Sequence, residues 1–119
     1  MLTYPIGIMT GSLDIDKLLI HLTLTNYMSL FTTRVELHGA SYSDYETLHE
    51  AMIEKGFSRY ITSNDGIKYH LPTAEYDYQD SNRADVLSLA KAAAQATGKS
   101  FEVLVTEGIG RTWHNLSKT

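Results

Sequence analysis

The chain has no cysteine. That absence removes disulfides, zinc-thiolate sites and thiol nucleophiles together, and it is compatible with a cytoplasmic protein. Basic residues are scarce as well: ten Lys and Arg stand against fourteen Asp and Glu, giving a formal charge of -4 at pH 7. Non-specific affinity for phosphate backbones comes mainly from clustered Lys and Arg, so a broad electrostatic grip on nucleic acid is excluded and only a local basic patch is left. No apolar run approaches the roughly 20 residues of a membrane span. The only basic residue among the first 27 is Lys17, so the basic leader of a secretory signal is missing there. Internal repeats and low-complexity tracts are absent.

What remains, 119 residues with 43% hydrophobic and 20% charged side chains, suits one globular domain with a modest core. The pattern changes near Met28, which leads directly into a strand, so residues 1-27 are expected to be an N-terminal extension and 28-119 the working domain. An ordinary extra element packed on the domain through Leu18, Leu19, Ile20 and Leu22 is the alternative for the first stretch.

Phe31 to Gly39 alternates apolar and polar residues, the period of a half-buried strand. Phe31, Thr33, Val35 and Leu37 fall on one face, and Thr32, Arg34, Glu36 and His38 on the other. Ser43 followed by Glu46 predicts a capping box opening a helix whose stripe is Tyr45, Leu48, Met52 and Ile53, ended by Gly56. Ser58 to Ser63 and Ile67 to Leu71 predict a hairpin around Asn64-Asp65-Gly66, with Pro72 at a strand end or bulge and residues 74-78 continuing beyond it. Ser81 to Arg83 opens a second helix with Val86, Leu89, Ala90, Ala93 and Ala94 inward and Gly98 at its end. Phe101 to Glu107 is the last long strand. The order predicts an α+β fold of the ferredoxin-like βαββαβ type, an antiparallel sheet with both helices on one face and the first and third strands central. Arg111 to Trp113 would add a short fifth strand or a dimer arm.

In that arrangement Arg34, Glu36, His38, Lys68 and His70 share the open sheet face, joined by Tyr60, Glu102 and Thr106. Two imidazoles on neighbouring strands suit general acid and base work on a phosphodiester, which makes His38 and His70 the candidate catalytic pair. Arg34, Lys68 and Arg111 are the candidate phosphate contacts. The competing reading is that both histidines are polar residues on a solvated face. Glu36 and Asp77 belong to no recognisable ligand motif, so neither a metal nor an organic cofactor is expected. Trp113 is read as an interface anchor, either on the domain or on a second copy in a homodimer; with Arg111 and His114 near a flexible turn, it also suits stacking on an unpaired base.

Phe31 to Gly39, Asp44-Tyr45, Gly56 to Arg59, Tyr69 to Tyr76 and Gly110 to Trp113 together resemble the GhoS endoribonuclease antitoxins, small bacterial and phage proteins. The resemblance covers roughly residues 30-115. It implies a ferredoxin-like domain that cuts the messenger of a membrane toxin, and it fixes no catalytic residue. The acidic residue that small CRISPR-associated nucleases of similar shape carry at the end of the first strand is replaced here by His38-Gly39. Two function classes are therefore expected: a metal-independent endoribonuclease acting as an antitoxin on RNA, or a non-catalytic interaction module that forms a homodimer or grips a protein partner.

Overall fold

The computed structural model describes residues 29-119. The expected extension 1-27 and the domain start at Met28 lie outside the described residues.

The alternating stretch forms β1 (Leu30–Leu37), with Phe31, Thr33, Val35 and Leu37 buried and Arg34 and Glu36 exposed. β1 is the middle of a three-stranded antiparallel sheet, between β4 (Glu75–Gln79) and β5 (Phe101–Gly108). Helices α1 (Tyr42–Glu54) and α2 (Arg83–Gln95) share one core with the inward face of this sheet, built from Phe31, Val35, Leu48, Met52, Tyr76 and Val86. A separate hairpin, β2 (Tyr60–Thr62) and β3 (Lys68–His70), reaches the sheet through a single antiparallel bridge from Ser58 to Asp77 of β4. Among the described residues no helix is long and apolar enough to cross a membrane.

α1 starts two residues earlier than the sequence suggests. Ser41, not Ser43, is the cap: the Asp44 N–H donates to Ser41 Oγ at 3.3 Å and the Ser41 N–H donates to Asp44 Oδ2 at 2.8 Å. The chain leaves β1 through Gly39 at φ +60, so the first residue able to cap is Ser41, and Ser43 falls within the first turn. The reciprocal bond holds the Asp44 carboxyl below its ordinary range, the Ser41 backbone N–H being the largest cause. At the other end Gly56 N–H donates to Ile53 O and Phe57 N–H to Met52 O, both at 3.0 Å, the paired bonds of a Schellman stop. The buried stripe is Leu48, His49 and Met52, with Tyr45 half-buried; Ile53, expected inside, is 55% exposed. The helix is rotated toward His49.

α2 follows its expected stripe, with Val86, Ala90, Ala93 and Ala94 buried and Asn82 as cap, its side chain accepting from the Asp85 N–H at 2.9 Å.

The largest departure is at Pro72. The expected third strand is cut in two: Glu75 N–H donates to Pro72 O at 3.0 Å and Ala74 sits at φ +75, a turn that separates β3 from β4. Pro72 has no N–H to give a ladder, so the chain turns there. Only the second piece, β4, lies beside β1, running Arg34↔Glu75 to Leu30↔Gln79. The piece that carries Lys68 and His70 pairs with β2 instead.

The tail does not follow β5 as a fifth strand. It crosses the open face of the sheet and pairs with β3, where His70 N–H donates to Ser117 O at 2.8 Å and Thr119 N–H to Lys68 O at 3.2 Å. What draws it there is Arg111, whose guanidinium donates to Phe31 O and Thr32 Oγ1, each at 3.0 Å, and pairs with Asp77 Oδ1 at 2.8 Å.

Candidate nucleic-acid interface

Alternation along β1 places Arg34, Glu36 and His38 on the side away from the helices, and the register brings carboxylates to each of them. Arg34 lies 3.5 Å from Glu75 of β4, and His38 Nε2 lies 3.6 Å from Glu102 of β5. Glu36 stands directly opposite Glu102. This end of the open face is acidic, and its arginine already has a carboxylate beside it. Such a surface repels a phosphate backbone.

His38 and His70 do not meet. β1 is flanked by β4 and β5, and β3 is flanked by β2 and the tail, so the two imidazoles belong to different sheets. Arg111, the third expected phosphate contact, is folded onto Asp77 with only 17% of its side chain exposed against 9% for the carboxylate. Trp113 packs on Tyr69 of its own hairpin, ring centroids 5.2 Å apart. Together Arg111 and Trp113 clamp the tail across Thr32, Leu71, Pro72 and Glu75.

The hairpin does bring expected site residues together. Its two-residue period puts Ile61 and Tyr69 on the side facing the tail and Tyr60, Lys68 and His70 on the other. Tyr60 and His70 are cross-strand partners whose rings meet edge to face at 4.8 Å, and Lys68 Nζ lies 5.6 Å from the centre of the Tyr60 ring. His70 Nδ1 is 3.1 Å from the Leu71 carbonyl oxygen. A carbonyl only accepts, so in that bond Nδ1 is the donor, and the neutral tautomer that makes it has its lone pair on Nε2. Arg59 precedes β2, its carbonyl accepting from the Leu71 N–H at 2.8 Å, and Lys118 is bridged to Tyr69, so Lys68 is the cation on the Tyr60 and His70 face. Beside them runs an open groove of about 560 Å³ lined by Ser58, Tyr60, Thr62, Lys68, Asp77 and Gln79.

Two parts of this arrangement escape sequence reasoning. One is the Arg111, Thr32 and Asp77 knot, which joins residues on three segments; its signal is that Asp77, next to the buried Tyr76, must alternate onto the face carrying Thr32. The other is His49 on α1, buried at 5% exposure with Nδ1 2.5 Å from the Tyr76 hydroxyl. Burial first, then the Arg59 charge, pushes His49 below its ordinary value, and burial pushes Tyr76 up. Both are therefore neutral near pH 7. Among the described residues no three His, Asp or Glu side chains gather where a metal ion could sit.

Comparisons of the chain with protein families, curated proteins and solved structures find no match. The site's own geometry carries the functional reading.

Proposed function

We propose that the chain is a GhoS-type antitoxin domain of ferredoxin-like fold that binds single-stranded RNA on the outward face of the β2–β3 hairpin and cleaves it without a metal. The observation that carries this reading is that Tyr60, Lys68 and His70, an aromatic ring, a cation and an imidazole with a free Nε2, share that one face. A ring offers a stacking platform for an unpaired base, and Lys68 attracts the phosphate beside it. The ferredoxin-like reading is supported by the strand sequence β5-β1-β4 and by the Ser58 bridge, which attaches the start of the hairpin to the outer side of β4. The segments that resemble the antitoxin family also converge: Leu71 bonds Arg59, Arg111 bonds the Phe31 carbonyl and Trp113 packs on Tyr69.

His70 Nε2 takes the proton of a ribose 2′-hydroxyl, and the 2′-oxygen attacks the adjacent phosphorus. The bond from phosphorus to the 5′-oxygen breaks, that oxygen takes a proton from water, and the products are a 2′,3′-cyclic phosphate and a 5′-hydroxyl. Lys68 steadies the charge of the phosphorane. His38 takes no part, being held beside Glu102 on the other sheet.

The test is incubation of the full chain with end-labelled single-stranded RNA, with and without a chelator. Cleavage is expected to be insensitive to the chelator and to leave cyclic-phosphate ends. His70→Ala should lower the rate by about 100-fold or more, and His38→Ala should leave it unchanged. Cleavage that survives in His70→Ala removes that residue from the chemistry, and no cleavage by the native chain removes the enzyme reading.

A further inference from the structure

We infer that the free edge of β5 is a homodimer interface, in which two copies pair antiparallel about a two-fold axis at Leu104 and join their sheets into one. Among the described residues β5 has a single strand neighbour, β1. The pairing with β1 runs unbroken over all eight residues, Leu30↔Gly108 to Leu37↔Phe101. The His38 N–H donates to Ser100 O at 2.9 Å, which sets the parity of the ladder. Even-numbered residues of β5 exchange bonds with β1, and the N–H and C=O groups of Phe101, Val103, Val105 and Glu107 point the other way, without a strand partner among the described residues. Edge strands are usually guarded by proline, charge (lysine above all), a bulge or brevity. β5 has no proline, lysine or bulge and is eight residues long, and its charges are Glu102 and Glu107.

The side chains say that the occupant is a second β5. With the axis at Leu104, the strand is complementary to itself: Leu104 meets Leu104, Val103 meets Val105, Glu102 meets Thr106 and Phe101 meets Glu107. No glutamate faces another. The outward groups of Phe101, Val103, Val105 and Glu107 then find partners in the copy, and Leu104 falls at a site without hydrogen bonds, where facing side chains come closest. Leu104 is 64% exposed on the open face, and self-pairing covers it. The Glu107 carboxylate does not oppose the match, because Arg83 Nε at 3.2 Å and Ser29 Oγ at 2.9 Å already hold it. Arg83, Val105, Glu107 and Ile109 also border a groove of about 470 Å³. The same register brings Phe101 of the second copy alongside Glu107, at the mouth of that groove. The tail plays no part in this contact, since it is clamped on the opposite side of β1 by Arg111.

Sedimentation of the full chain over a micromolar concentration series is expected to show a mass rising from 13.3 kDa to twice that value. Leu104→Lys should be monomeric with a cooperative thermal melt that no longer depends on protein concentration, and Trp113→Ala should remain dimeric. The absence of native cysteine makes a register test clean. Facing Cα atoms at a pair without hydrogen bonds are about 4.5 Å apart, inside the range of a disulfide. Leu104→Cys should therefore form a linked dimer on mild oxidation. Glu102→Cys should not link to itself, but mixed with Thr106→Cys it should. A native chain that stays monomeric throughout, a dimer that persists in Leu104→Lys, or self-linking of Glu102→Cys as efficient as that of Leu104→Cys would overturn the inference.

Discussion

His49 is a histidine that the fold keeps neutral. It sits on α1 with its ring 5.7 Å from Tyr76, bonded to the tyrosine hydroxyl, and its pKa lies below 6.5 because burial and the Arg59 charge disfavour the imidazolium. In the unfolded chain it titrates near 6.5, so below that pH the unfolded state binds the proton that the folded state refuses. The stability that follows is present in full above 6.5 and is lost as pH falls through 6.5 toward the folded value. Melting temperature measured from about pH 7 to pH 5.5 should fall in the native chain. In His49→Gln, whose amide can still bond Tyr76, the fall should be shallower. Identical slopes in the two proteins would mean that His49 titrates in the folded state as freely as in the unfolded one.

At the level of elements, the stop of α1 rests on Gly56. Its φ of +98 is a conformation that costs an L-residue about 1–2 kcal/mol, and a Cβ there would lie 3.1 Å from the Tyr78 ring. Gly56→Ala should therefore lower stability in urea by about 1–2 kcal/mol or slightly more, with α1 retained, whereas Gly66→Ala, in open space at φ +85, should show the backbone cost alone. These stops were legible in the sequence because glycine after an apolar stripe has few other uses, and β1 was legible because its alternation runs for eight residues. The break at Pro72 was half legible. Proline announces an interruption, but which half of the strand stays in the sheet depends on the Val35 N–H finding Ala74 O at 2.9 Å, a contact between distant segments. That one contact moves Lys68 and His70 off the main sheet and separates His70 from His38. Local pattern also misjudged α1, since His49 looks like a surface residue until Tyr76 supplies its partner. The Tyr60, Lys68 and His70 face was legible from strand alternation around the hairpin, whereas Arg34 and Arg111 are each claimed by a carboxylate that no spacing reveals.

Across the whole molecule the tail is a strap between the two sheets. The hairpin meets β4 through the Ser58 bridge, and Ile61 and Leu71 are buried beneath Trp113 and Leu116. The tail then adds two hydrogen bonds to β3 while Arg111 fastens its other end to β1 and β4. Removing Arg111 leaves the Asp77 carboxylate, 9% exposed, without its cation, and losing one member of a largely buried pair costs about 3 kcal/mol. The loss should not spread evenly. β1, β4 and β5 keep their ladders and their helices, so their amides stay protected, whereas β2 and β3 lose the strand that covers one edge and the ring that covers one face. Hydrogen exchange of Arg111→Ala should therefore accelerate at residues 60–70 well before it does at 30–37, and binding of single-stranded RNA should weaken together with it, because Tyr60, Lys68 and His70 are positioned by the hairpin alone. Uniform acceleration across both sheets would show that the tail stabilises the domain as a unit. Faster exchange in the hairpin with RNA binding unchanged would place the RNA contact elsewhere.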